Sequence, residues 1–146
     1  MGSPEENKAN TRRFIDEVFN RKNFDYAAGA IDESFVEHAP LPGLTPDKAG
    51  TIEQFRVLAR GTPDIRYEIH DVIASGDRVA VRATYSGTDT GGFMPGMPAT
   101  NKPYSMEGID VVRWSNDGKV LEHWGIQDLP SAMVQLGLMP PPGGGD

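Results

Sequence analysis

The sequence contains no cysteine. That excludes disulfide staples, thiol nucleophiles and thiolate metal sites. It also lacks any run near the roughly 20 apolar residues that a bilayer-spanning helix requires. Its first residues, Met1 to Thr11, are polar and carry no apolar stretch of the secretory kind. Positive charge is sparse: 14 Lys and Arg stand against 21 Asp and Glu, a net charge of −7. The basic residues are scattered, whereas proteins that bind nucleic acid or anionic membranes concentrate them. These absences lead to the expectation of a cytoplasmic protein with no nucleic-acid and no membrane partner. No Gly-rich phosphate loop precedes a helix, and no Ser or Thr sits in a nucleophile elbow. The three histidines, His38, His70 and His123, stand at no familiar metal-ligand spacing, so no metal and no cofactor is expected.

What is present fits a single domain over 1–146, with a core at about 7–137 and a flexible tail at 140–146, where the sequence reads PPPGGGD. Met1 to Ser3 also reads as a flexible start. Between Asn7 and Arg21, Phe14, Ile15, Val18 and Phe19 fall on one face at helical spacing. A short helix is predicted over Tyr26 to Ile31, and Ser34 to Glu37 reads as extended. Thr45-Pro46-Asp47 is a helix start, and the helix after it ends near Gly61.

Beyond Pro63 the period changes to two. Ile65, Tyr67 and Ile69 alternate with Arg66, Glu68 and His70; Val79, Val81, Ala83 and Tyr85 alternate with polar neighbours. A Gly-, Pro- and Met-rich loop spans Gly87 to Lys102, where Phe93 to Pro98 can form a lid or close over the core. A strand over Tyr104 to Trp114 follows, then the hairpin turn Asn116-Asp117-Gly118 and a strand over Lys119 to Gly125. Asp128-Leu129-Pro130 opens a last short helix. The expected fold is α+β: a four-strand antiparallel meander curved over N-terminal helices into a cone-shaped barrel with an internal pocket.

Several short motifs then point to a family. They include Phe35-Val36-Glu37-His38, Gly76-Asp77-Arg78-Val79, Gly108-Ile109-Asp110, Asp117-Gly118-Lys119, Glu122-His123-Trp124 and Gln135-Leu136-Gly137. In this order the chain resembles the SnoaL-like polyketide cyclases of the nuclear-transport-factor-2-like superfamily, over roughly Asn7 to Gly137. The resemblance implies a homodimer or homotetramer and an activity without metal or cofactor. It also implies an intramolecular aldol closure in which an acid/base residue removes a proton beside a carbonyl. It places Asp110 and His123 toward the cavity and the cyclases' catalytic aspartate at Gly125, which has no side chain to do that work.

Strand parity puts Met106, Gly108, Asp110 and Val112 on one face, and Leu121, His123 and Gly125 on one face of the next strand. Asp110, set among Ile109, Val111 and Val112, must be paired, solvated or shifted in pKa. It is either a structural carboxylate or a pocket acid/base. His123 titrates near neutrality and is the second candidate catalyst, or else a half-buried histidine bonded to the backbone. His38, where a strand yields to a Pro-rich loop, is a third candidate at the pocket mouth. Asp128 is a fourth, with a helix N-cap as its competing role. Asp89 reads as a turn residue. Phe19, Phe35, Phe55, Met106 and Trp124 are the expected pocket lining. The function expected is a cofactor-independent acid/base enzyme acting on a hydrophobic carbonyl or aromatic polyketide-like small molecule. The alternatives are a non-catalytic small-molecule-binding protein and a hydratase, epoxide hydrolase or isomerase.

Overall fold

The computed structural model describes residues 2–143. The chain enters helix α1 (Pro4–Ile15) through a capping box: the Ser3 hydroxyl accepts from the Glu6 amide at 3.1 Å, and the Glu6 carboxylate accepts from the Ser3 amide at 3.0 Å. Pro4 stands in the first turn, where a missing N–H goes unnoticed. Ser3 is thus a cap and not part of a flexible start. The residues 144–146 of the expected tail, like Met1, lie outside the described residues.

α1 continues into a π-helical turn, Asp16–Asn20, closed by the Arg21 amide on the Asp16 carbonyl at 2.9 Å. The wider turn shifts the side-chain phase. Phe19 sits in it, with its ring 5.1 Å from Tyr67 and 5.4 Å from Phe55. Next come α2 (Phe24–Ala30), β1 (Ile31–Glu37) and α3 (Lys48–Gly61), whose N-cap Asp47 accepts from the Gly50 amide at 2.9 Å. Strands β2 (Arg66–Ser75), β3 (Arg78–Thr88), β4 (Pro103–Trp114) and β5 (Val120–Gln127) follow, then α4 (Leu129–Gln135). No helix among the described residues is long and apolar enough to cross a membrane.

The sheet has five strands in the order β1-β5-β4-β3-β2. β2 to β5 form the expected antiparallel meander, but β1 joins β5 in parallel, so the sheet is mixed. The sequence hid the start of β1 for a local reason. Asp32 accepts from both the amide and the hydroxyl of Ser34, at 2.9 and 2.7 Å, and the strand's register shifts between Ile31 and Val36. Regular alternation is lost there, and only Phe35 and Glu37 keep it, both 3% exposed.

A second irregularity lies in β5. Arg113 pairs with Glu122 but Trp114 pairs with Val120, so Leu121 is an extra residue. The bulge turns Val120 inward, and Leu121 does not line the cavity as parity had implied.

The helices cover the concave face. Trp114 ties the sheet to α1 through its indole N–H on the Thr11 hydroxyl at 2.9 Å. The loop from Asp89 to Lys102 closes one end. Asp89 is fully buried and accepts from the Gly92 amide, the Thr100 amide and the Thr100 hydroxyl at 2.9–3.0 Å. The loop docks on the end of α3 through backbone contact that leaves no room for side chains. A Cβ on Gly91 would lie 2.1 Å from the Arg60 carbonyl oxygen, and one on Gly61 would lie 2.3 Å from that of Gly92. Phe93, carried by this loop, is buried against Tyr104.

Replacing Asp89 by Ala leaves three half-buried donors without their acceptor. The expected loss is about 2–4 kcal/mol of unfolding free energy, measured by urea denaturation. An unchanged midpoint would mean that the loop is held by its apolar contacts alone.

Candidate active site

Between the concave sheet and the helices lies a cavity of about 140 Å³. A hydrocarbon-lined cavity of about 150 Å³ accepts a benzene ring, so one ring fits as the walls stand and a fused-ring ligand requires them to yield. Phe14, Phe19, Phe35, Phe55 and Met106 contribute to its apolar wall.

Into this wall β4 projects Asp110, 8% exposed, because residues 104, 106, 108 and 110 alternate inward. One carboxylate oxygen, Oδ2, accepts from the Tyr67 hydroxyl of β2 at 2.6 Å and from the Tyr85 hydroxyl of β3. The other, Oδ1, meets His123 Nε2 of β5 at 2.8 Å and accepts from the Gln127 amide at 3.2 Å. The opposite imidazole nitrogen, Nδ1, lies 2.7 and 2.8 Å from the two oxygens of Glu37 at the end of β1. All five strands contribute: β1, β5 and β4 deliver one line of groups, Glu37–His123–Asp110, and β2 and β3 set two tyrosines behind it.

A histidine between two carboxylates can donate to both only as the imidazolium. Burial opposes that charge, but the bonds to Asp110 and Glu37 outweigh it and raise the pKa to about 9. Burial likewise opposes the Asp110 charge, yet the His123 bond and charge, with the tyrosine bonds, hold its carboxyl below the ordinary range. Burial, then the neighbouring Asp110 charge, push both Tyr67 and Tyr85 far above neutrality, so they stay protonated donors. At neutral pH the site holds an ionised Asp110 beside a charged His123.

The expected site residues separate cleanly. Asp110 and His123 are brought together. His38 lies on the convex face of the sheet, where its ring stacks on Trp124 at 4.7 Å and 4° and its Nε2 meets Glu122 at 3.1 Å. Adjacent strand residues point to opposite faces, so His38 cannot share the cavity with Glu37, nor Trp124 with His123. Trp124 therefore does not line the cavity; Arg78 lies 5.1 Å over its ring instead. Asp128 is the N-cap of α4, accepting from the Ser131 amide at 3.1 Å, and is also outside the cavity. Sequence reasoning passed over Tyr67, Tyr85 and Gln127 as site residues, and above all Glu37. Its two-residue spacing from buried Phe35 is the parity that marks it. Among the described residues no group of three or more acidic or histidine side chains is arranged to hold a metal ion.

A curved sheet closed by helices around a pocket with a buried acid–imidazole pair defines the class, a cone-shaped α+β fold of the nuclear-transport-factor-2-like type. The chain belongs to the SnoaL-like polyketide cyclase family, whose model matches residues 9–136. Solved structures agree. IdmH, a candidate polyketide cyclase from Streptomyces antibioticus, is 28% identical, with 89% of this chain and 98% of that one covered and a TM-score of 0.75. AclR, a candidate hydroxylase from Streptomyces galilaeus, is 25% identical over 95% and 85% of the two chains, with a TM-score of 0.82. TsrD from Streptomyces laurentii shares the fold at 22% identity and a TM-score of 0.79, over 90% and 94%. No curated protein matches the chain.

Gly125, where the resemblance places an aspartate, has a physical role here. It pairs directly with Asp110 across β4 and β5. A Cβ at Gly125 would lie 2.6 Å from Asp110 Oδ1 and 2.9 Å from His123 Cε1. The Asp110–His123 bond occupies the space that a side chain at 125 would fill, so the two arrangements exclude each other.

Stability should follow this bond. The raised His123 pKa contributes stability that is fully present below about pH 6.5 and lost as pH rises through about 9; the lowered Asp110 pKa contributes above the ordinary carboxylate range and is lost as pH falls below it. The thermal midpoint is expected to drop by roughly 5 °C or more between about pH 7 and pH 10. In Gly125→Ala the methyl group displaces the Asp110 carboxylate. The His123 pKa, read by NMR, should fall toward 6.5 and the alkaline drop should shrink. A wild-type titration in that variant would show that the space is not limiting.

Proposed function

We propose that the protein is a cofactor-independent acid/base catalyst that acts on a hydrophobic carbonyl compound, of aromatic polyketide-like character, inside the cavity. The observation that supports this most is the Asp110–His123 pair set in an otherwise apolar pocket. Asp110 is the base, and His123 is the donor to the carbonyl oxygen.

The resting arrangement explains how a weakly basic carboxylate becomes a useful one. Burial is the largest influence on Asp110 and acts to raise its pKa; the hydrogen bonds oppose it. When a substrate carbonyl takes the His123 Nε2–H, Asp110 loses the hydrogen bond that most opposes burial. The carboxylate thereby gains basicity beside the acidified C–H. Asp110 takes the proton, and His123 stabilises the enolate oxygen. Glu37 holds the imidazolium through Nδ1. The enolate carbon attacks a second carbonyl of the same molecule, and the new alkoxide receives a proton from the site, so the proton count closes without a cofactor.

Proton abstraction alone can be followed with β-tetralone in deuterated water, by NMR loss of the protons beside its carbonyl. The wild type should accelerate exchange. Asp110→Asn should reduce that acceleration about 100-fold or more, as should His123→Gln. The rate should fall as pH rises through about 9, where His123 loses its proton. Exchange that survives both substitutions sinks the assignment; binding of the ketone without exchange would favour a non-catalytic binding protein.

We also infer a homo-oligomer, formed through the convex face of the sheet. Ile126 is 80% exposed and Ile109 53%, and the two are direct cross-strand partners. Val111 and Trp124, the next pair on that face, extend the patch. Charges of both signs, Arg82, Glu107 and Asp128, border it, as suits a self-complementary two-fold contact. Sedimentation should give a dimer or tetramer, and the double substitution Ile109→Glu with Ile126→Glu should give a monomer of unchanged circular dichroism. A monomeric wild type would rule this out.

A further inference from the structure

The wall that α3 gives to the cavity holds a polar atom that nothing in the protein uses. Thr51 is 4% exposed and lines the cavity. Among the described residues, its hydroxyl oxygen is the one buried side-chain polar atom without a hydrogen-bond partner. An unpaired buried hydroxyl is costly, so its presence calls for a reason.

A helical threonine has a local remedy, a bond to the carbonyl four residues back. Thr11, which lines the same cavity from α1, takes it: its hydroxyl donates to the Asn7 carbonyl at 2.7 Å and accepts from the Trp114 indole. Thr51 makes no such bond. One turn along the same helix, Gln54 also lines the cavity and adds an amide. The α3 residues at the cavity, Thr51, Gln54, Phe55 and Leu58, are all neutral. The charged residues, Glu37, Asp110 and His123, come from β1, β4 and β5. The charged groups of the cavity thus lie on the strands, whereas α3 contributes neutral polar groups only, with phenyl rings also lining the space. A hydroxyl beside an amide matches a neutral oxygen, which can donate or accept, and offers no counter-charge to a carboxylate or phosphate.

We propose that Thr51, with Gln54 beside it, forms a second subsite that binds a neutral oxygen, a ring hydroxyl or a carbonyl, on an oxygenated aromatic substrate. This rests on the reading that the reacting carbonyl of the same molecule meets Asp110 and His123. The pocket thereby selects for ring oxygenation at a distance from the reacting carbon.

The test compares β-tetralone with its ring-hydroxylated isomers, titrated by NMR into the wild type, Thr51→Val and Thr51→Ser. At least one hydroxylated isomer should bind the wild type about 5–10-fold tighter than β-tetralone, the worth of one neutral hydrogen bond. Thr51→Val should erase that preference; Thr51→Ser should keep it. Without ligand, Thr51→Val should melt at the same temperature as the wild type or higher, because it removes an unpaired hydroxyl. A hydroxyl that served the fold would move the midpoint down, and that result overturns the proposal. So does a preference that survives in Thr51→Val. Equal binding of all the ketones by the wild type overturns the subsite alone, whereas failure to bind any of them overturns the carbonyl-substrate reading with it.

Discussion

A carboxylate placed in a β-strand among isoleucine and valine must find donors or surrender its charge. Asp110 finds four, from Tyr67, Tyr85, His123 and Gln127, and the bond to His123 does most to hold its charge. It keeps Asp110 ionised against burial and keeps His123 protonated against burial, and it engages Glu37 through the far side of the ring. Around it the sheet is arranged for delivery. β4 and β5 bring the pair face to face, β2 and β3 supply the tyrosines, and β1 exists as a parallel fifth strand whose last residue is the second carboxylate. A four-strand meander would have held Asp110 and His123 without Glu37, leaving Nδ1 to find another acceptor.

Much of this was legible from two rules and was lost where two local effects hid the rules. Period-two alternation gave Asp110 and His123 one face each and the family resemblance turned those faces inward, and the Asp128-Leu129-Pro130 cap read correctly because its chemistry is local. The same alternation sorts β1. Phe35 and Glu37 go in; Val36 and His38 go out. It was obscured because Asp32 and Ser34 bond to each other and break the strand's regularity, and because a histidine draws attention as a catalyst more readily than a glutamate beside it. Trp124 was lost for a related reason. Large aromatics suggest burial, but a residue next to His123 on a strand faces the other way. Asp89 looked like a turn residue, but its backbone pairs with Asn101 and Lys102 across the loop, and nothing in the sequence announced that it is wholly buried and holds the loop that carries Phe93. The parallel partner of β1 lies more than eighty residues away, and no local pattern encodes such a pairing.

Gly125 shows how a missing side chain can be a structural requirement. Read from the family resemblance alone, it subtracts an acid from the site. In the fold, its empty Cβ position is filled by Asp110 Oδ1 and the His123 ring. A carboxylate still stands at that point of the cavity, but it arrives from the neighbouring strand. Restoring an aspartate at 125 would therefore not repair a defective site; it would put a second acid against the first and break the bond that keeps both Asp110 and His123 charged.

The same bond sets a condition on what the site can do. A carboxylate that accepts four hydrogen bonds is stable and unreactive, and an imidazolium flanked by two carboxylates has no free proton to offer. On the proposed reading, reactivity begins only when a ligand oxygen competes for His123 Nε2–H. That competition demands a substrate that offers a carbonyl at that point and is positioned by contacts elsewhere, since a neutral oxygen does not by itself outbid a buried carboxylate for an imidazolium proton. The binding energy for it has to come from the apolar wall and from the neutral groups of α3. A ligand that fits the wall but lacks the carbonyl leaves the pair closed, and one with the carbonyl but too little apolar surface cannot open it. On the proposed reading, selectivity for a hydrophobic, oxygenated carbonyl compound follows from how strongly Asp110 and His123 hold each other.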